Sequence, residues 1–185
     1  INLCKILAKN GDYMLIGFKF SNYKSFKDSV EFSMEPLTKN GAISNAVETA
    51  YRKASWVYSS SAIFGANASG KSNFIEAINY FQHLMESSYL KRLNESMELP
   101  SYKLCDEQEN SKFECEFIKN GIAYRYFIEL NDTEIAKEEA FYTELSEDKR
   151  EKCLFKRSLE DFVSPYGLDK EFAKQTLKNR LLISE

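Results

Sequence analysis

The segment Gly65–Ser72, GANASGKS, constrains this chain more than any other feature. It fits the pattern G-x-x-x-x-G-K-[ST], Walker A, in which glycines let the backbone curl until its N–H groups converge on phosphate oxygens. The positive end of the helix that follows adds its dipole to that cradle. Lys71 would reach the β- and γ-phosphates and carry the catalytic charge, and Ser72 would offer its hydroxyl to Mg²⁺. At average residue usage the pattern arises by chance about once in 150 chains of this length. The bland alternative is a loop that only joins a strand to a helix. A lysine at a helix N-terminus is mildly unfavourable on its own, however, and an anion would correct that.

The flanks agree with the motif. WVYSSSAIF, Trp56 to Phe64, ends in the short apolar run Ala62, Ile63, Phe64, which predicts a strand buried on both faces. After the motif, Phe74, Ala77, Ile78, Phe81, Leu84 and Met85 recur at spacings of three and four and predict one helix with a single apolar stripe. Upstream, LIGFKF (15–20) predicts a strand with Ile16, Phe18 and Phe20 on one face. VEFSM (30–34) predicts its antiparallel partner. Residues 35–52 read as a loop with a helical turn near Ala46 to Ala50, and 91–111 as a polar surface segment. Asn120-Gly121 sits between two alternating runs and predicts a hairpin with a type I′ turn. Strands are expected at Ala140–Leu145 and Lys152–Lys156, and an amphipathic helix carrying Phe172, Leu177 and Leu181 near the end. The expected fold class is α/β, a P-loop NTPase fold with a mixed sheet, the motif's helix and an antiparallel β meander.

Composition narrows the function classes. With 185 residues, 43% hydrophobic and 29% charged, the chain is expected to form one globular domain. Lys plus Arg number 25 and Asp plus Glu 28, a formal net charge of −3, so there is no global basic footprint for nucleic acid. No apolar run approaches the roughly 20 residues needed to span a bilayer, and the opening INLCKILAKNGDY lacks a signal-peptide core, so a cytoplasmic protein with no membrane partner is expected. Cys4, Cys105, Cys115 and Cys153 form no CxxC pair, and His83 has no partner at ligand spacing, which argues against a zinc or disulfide framework.

Asn22-Tyr23-Lys24-Ser25-Phe26 after the first strand, followed by the glycine-rich motif, Asn73 and Ala77, resembles the N-terminal lobe of ABC-type ATPases of the SMC, RecF and OLD group. Within that group it looks most like bacterial RecF-like or abortive-infection AAA ATPases. The resemblance covers Met14 to Phe81 and is only architectural beyond Lys112. It implies ATP and Mg²⁺ as cofactors, held by Gly65, Asn67, Ala68, Ser69, Gly70, Lys71, Ser72 and Asn73, with Lys24 and Ser25 brought close by the first hairpin. Read from the residues alone, NYKSF is an ordinary hairpin turn, and Asn67 a turn residue that tolerates left-handed backbone angles.

The same resemblance puts the Walker B acids, the signature motif and the switch histidine in a C-terminal lobe. Here FIELND (127–132) comes nearest to Walker B, but Glu129 interrupts it and the hairpin explains it better. Residues 14–185 are therefore expected to be a partial domain, the ATP-binding half of a DNA-linked ATPase, without turnover of its own. Residues 1–13 are expected to be an extension or an extra strand. Its partners would be its own C-terminal lobe or a second head in a homodimer, and in the full-length protein DNA and an effector nuclease or toxin, in repair or phage defence. A small P-loop kinase of a nucleoside or metabolite, or a non-catalytic phosphate-binding module, are the competing classes. Should the chain turn over nucleotide alone, Glu129, Asp132, Glu138 and Glu139 are its first candidate acids.

Overall fold

Alternation decides the architecture. In the strand β5 (Ser111–Lys119), Phe113, Cys115 and Phe117 are buried, and in β6 (Ile122–Leu130) so are Tyr124, Tyr126, Ile128 and Leu130, giving each strand one apolar face. Asn120 and Gly121, at φ 51° and 74°, make the turn between them, and the register runs from Ser111↔Leu130 to Lys119↔Ile122. The structure is a computed structural model that describes residues 13–37, 45–51, 53–104, 109–145, 150–165 and 170–184. Expectations for residues 1–12, and for Cys4 and Cys105, lie outside those residues.

Around this hairpin, β1 (Tyr13–Ser21), β2 (Val30–Ser33), β7 (Ile135–Glu144), β8 (Lys152–Ser158) and β9 (Phe162–Val163) complete a seven-stranded sheet in the order β2-β1-β5-β6-β7-β8-β9. A two-stranded ribbon, β3 (Ala46–Glu48) with β4 (Trp56–Tyr58), stands apart from it. The helix α1 (Lys71–Ser87) lies across the inner face, and a short helix α2 (Lys170–Gln175) follows the meander. Single 3₁₀ turns occupy Ser88–Leu90 and Leu182–Ser184. Among the described residues no helix is long and apolar enough to cross a membrane.

The core is aromatic. Phe74, Ala77, Phe81, Leu84 and Met85 of α1 are buried against Phe18, Phe20, Phe113 and Tyr126 of the sheet. Phe81 meets Phe18 edge to face at 5.5 Å between ring centres and Phe113 at 6.1 Å, the offsets that aromatic quadrupoles favour. A second cluster lies at the ribbon end of the sheet, where Val57, Tyr51 and Ala54 cover Ile16 and Ala123.

Several expectations are corrected. The sheet expected to be mixed is antiparallel at every pairing among the described residues. Ala62, Ile63 and Phe64 are not a buried strand: β4 stops at Tyr58, and Ile63 and Phe64 are 41% and 90% exposed. An apolar run is buried as a strand only where neighbours pair with it on both sides, and no described strand does so here. A bulge between Leu15 and Gly17 parts Ile16 from Phe18 and Phe20, so Ile16 joins the second cluster. Ala46–Glu48 pairs as a strand with Trp56–Tyr58 instead of turning helically, because Val47 lies opposite Val57. β7 begins at Ile135, earlier than expected, and α2 ends at Gln175, so Leu177 and the fully buried Leu181 lie beyond it.

The early start of β7 places Glu138, with no solvent exposure, on the inner face. Its carboxylate accepts hydrogen bonds from Tyr126 (2.8 Å) and from the Leu182 and Ile183 amides (2.9 and 3.2 Å), and Arg157 Nε lies 3.7 Å away. Glu138 thus fastens the chain's last described turn to the sheet. Because removing one partner strands a buried charge on the other, Glu138→Ala is expected to cost about 3–5 kcal/mol in denaturant unfolding. A loss under about 1 kcal/mol would show that the contact is not structural.

Candidate functional site

The glycine-rich segment closes into a tight loop at the start of α1. Ala68 and Gly70 take left-handed backbone angles, φ 60° and 92°, and Gly70 is the residue from which the helix departs. A methyl group at Gly65 would sit 2.8 Å from Ser69 Oγ, so the two ends of the loop nearly touch. Lys71 folds back over it and donates to the Gly65 and Ala66 carbonyls, at 2.9 and 2.6 Å. Gly65, Asn67, Ala68, Ser69 and Ser72 are exposed, while Gly70, Lys71 and Asn73 are partly covered.

This arrangement fits a polyphosphate. The loop is held closed by the Lys71 ammonium, which bridges the Gly65 and Ala66 carbonyls. The N–H groups of the first helical turn have no carbonyl ahead of them. That turn also carries no acidic residue to repel an anion. A nucleotide would find Lys71 and the first-turn amides as donors and the exposed Ser72 hydroxyl beside any Mg²⁺ it brings.

The turn Asn22–Phe26 packs directly against the loop–helix junction. Tyr23 and Phe26 exchange backbone hydrogen bonds at 2.9 Å, which closes the turn, and Lys24 sits at its apex with φ 47°. Asn73 donates from its side-chain amide to Ser25 Oγ at 2.8 Å. The Phe26 ring lies so close to Gly70 that a Cβ there would come within 2.9 Å of Cζ. Lys24 does not point at the loop; its ammonium pairs with Glu76 in the second turn of α1, and Tyr23 donates its hydroxyl to the Glu76 carbonyl at 3.1 Å. The structure thus brings Ser25 together with Asn73 and places Lys24 beside the helix.

Sequence reasoning missed the strap that holds this turn. Residues 91–104, expected to be a plain surface segment, bury Met97 and pack Leu99 against the core. The Lys24 amide donates to the Pro100 carbonyl (2.7 Å), and the Tyr102 amide donates to the Asn22 side chain (3.2 Å). Asp132 anchors the other end, accepting from Ser96 Oγ and the Leu99 amide at 2.8 and 3.1 Å. Tyr80 of α1 donates to the Met97 carbonyl across the strap. Burial pushes the Tyr80 hydroxyl well above its ordinary range, so it stays a donor. Methionine and leucine at 97 and 99 were the only signal that this stretch packs inward.

The four candidate acids have structural partners. Glu129 accepts from Asn110 (3.1 Å), Asp132 anchors the strap, Glu138 is buried with Arg157, and Glu139 pairs with Lys137 and Lys156 at 3.1 and 3.8 Å. His83 lies on the exposed side of α1, within 3.2 Å of Ser87 Oγ.

A family model described as "AAA domain, putative AbiEii toxin, Type IV TA system" matches residues 60–183, from just before the loop to the chain's last 3₁₀ turn. No curated protein and no solved structure matches the chain.

Gly70 answers two demands at once, a left-handed backbone and the clearance that Phe26 needs. Gly70→Ala is expected to cost about 1–2 kcal/mol from the backbone alone, with the Phe26 clash adding to it. Gly65→Ala, where no left-handed angle is required, is expected to cost less. Equal losses for the two in thermal or denaturant unfolding would contradict this account.

Proposed function

The chain belongs to this AAA-domain family, and from that premise we propose that it is the nucleotide-binding half of an ABC-type, SMC- and RecF-like ATPase. The observation that carries the reading is the junction of the two motifs. Lys71 is drawn over a closed loop, and Ser25 and Phe26 of the upstream turn touch Asn73 and Gly70 at the point where that loop becomes a helix. A phosphate chain entering the loop would take the Lys71 donors now given to the Gly65 and Ala66 carbonyls. Lys71 then neutralises charge, the first-turn amides orient the phosphates, and Ser72 directs its hydroxyl to the metal ion. Bound Mg²⁺ would supply further neutralisation of the phosphate charge.

Hydrolysis also needs an acid on the metal ion and a group that orients the attacking water. The four acids nearest to that description are committed to structural contacts. In this reading the acids come from a C-terminal lobe or a second head, so nucleotide binding acts as a switch for head association. The family's description, which names an AbiEii toxin and a type IV TA system, supports a place in phage defence; DNA and an effector nuclease or toxin are the partners proposed for the full-length protein.

The test is titration of the chain with Mg-ATP, followed by phosphate release with and without the C-terminal lobe joined to it. Binding without turnover is expected from the chain, and turnover from the extended protein. Lys71→Ala removes charge-assisted hydrogen bonds and is expected to weaken binding roughly 10- to 150-fold. Turnover by the chain alone, or affinity unchanged in Lys71→Ala, would overturn the assignment.

A further inference from the structure

We propose that Glu76 is a positioning residue of the nucleotide site: its carboxylate holds the Lys24 ammonium in reserve beside the loop and yields it to the phosphate chain. The inference rests on the reading of the loop as a nucleotide site and adds to it a residue outside both sequence motifs.

The backbone around Lys24 is fixed on every side. Its own amide is held by the Pro100 carbonyl, the turn is closed between Tyr23 and Phe26, and the next residue, Ser25, accepts from Asn73. Tyr23, 2% exposed, ties its hydroxyl to the backbone carbonyl of Glu76 itself. Only the side chain of Lys24 is free to choose a partner, and it has chosen Glu76.

Glu76 lies about 7.5 Å along the helix axis from Lys71, and helical side chains lean toward the N-terminus. Its carboxylate therefore leans toward the first turn, on the side of α1 where Asn73 meets Ser25. The two side chains are 32% and 47% exposed, and pairs so placed are weak and screened by salt. Such a pair stores the cation without trapping it: a phosphate chain carries several negative charges and outcompetes one carboxylate. The carboxylate also keeps two cations, Lys24 and Lys71, from standing uncompensated near one helix N-terminus.

The experiment is a double-mutant cycle on Mg-ATP affinity, with Glu76→Gln, Lys24→Met and the double variant, each checked for an unchanged melting temperature. Glu76→Gln frees Lys24 and is expected to tighten binding about two- to fivefold, an effect that shrinks at high salt. Lys24→Met is expected to weaken binding. In the Lys24→Met background the gain from Glu76→Gln should fall by more than half, and Glu76→Asp, which keeps the carboxylate, should leave affinity near that of the parent. An equal gain in both backgrounds would mean that Glu76 acts only through its field, and the proposal fails while the nucleotide site stands. If the parent binds no nucleotide, and Lys71→Ala changes nothing, the site assignment falls and this inference falls with it.

Discussion

Everything at the candidate site depends on the contact between one aromatic helix face and one aromatic sheet face. Phe74 and Phe81 of α1 meet Phe18, Phe20 and Phe113 through ring pairs between 5.5 and 6.1 Å. Large rings pack in few mutual orientations, so the contact fixes where α1 starts as well as how strongly it is held. Phe26 carries that order outward. It stands edge-on to Phe20 at 5.2 Å and ends against Gly70, so the loop–helix junction rests on the outermost ring of the core.

The opposite face of the sheet solves another problem. Glu114, Glu116 and Glu151 surround Arg125, which also lies over the Phe141 ring at 4.1 Å, and Lys137 and Lys156 share Glu139. Arg125 hydrogen bonding holds the Glu151 carboxyl below its usual range, while partial burial raises that of Glu116. Carboxylates beside Arg125, Lys137 and Lys156 lower the field that a polyanion would meet there, although aromatic and basic residues alternate on this face.

The parts legible in the sequence were those governed by short-range rules. The α1 stripe, the Asn120-Gly121 hairpin and the β1–β2 pair follow from periodicity and turn chemistry acting over a few residues. The errors arose where a distant segment decides. Ala62–Phe64 has the composition of a central strand but finds no neighbour among the described residues, and Ala46–Glu48 becomes a strand because Val57 lies opposite. Glu138 sits in EIAKEEA, a stretch that reads as solvated, and only Arg157, Tyr126 and two amides from the chain's far end make its burial possible. Of the site, the loop and the upstream turn were readable as motifs. Glu76 and the Pro100 and Asp132 anchors were not, since nothing in local pattern distinguishes an exposed glutamate on a helix from one that holds a lysine.

The loop is supported unequally on its two sides. On the helix side, Gly70 is wedged by Phe26, and Asn73 is bound to Ser25. On the other side, residues 60–66 carry no sheet pairing among the described residues, and Ile63 and Phe64 face solvent. The two hydrogen bonds from Lys71 to the Gly65 and Ala66 carbonyls join the unsupported arm to the supported one. The residue with the best chemistry for phosphate is thus also the residue that closes the loop, and the two tasks compete for the same three protons. An anion that draws the ammonium away must replace that closure by bridging the loop amides itself. On the proposed reading, a chain of phosphates long enough to span from Lys71 to the first-turn amides would replace that closure, and a single small anion that reaches only one of them would not.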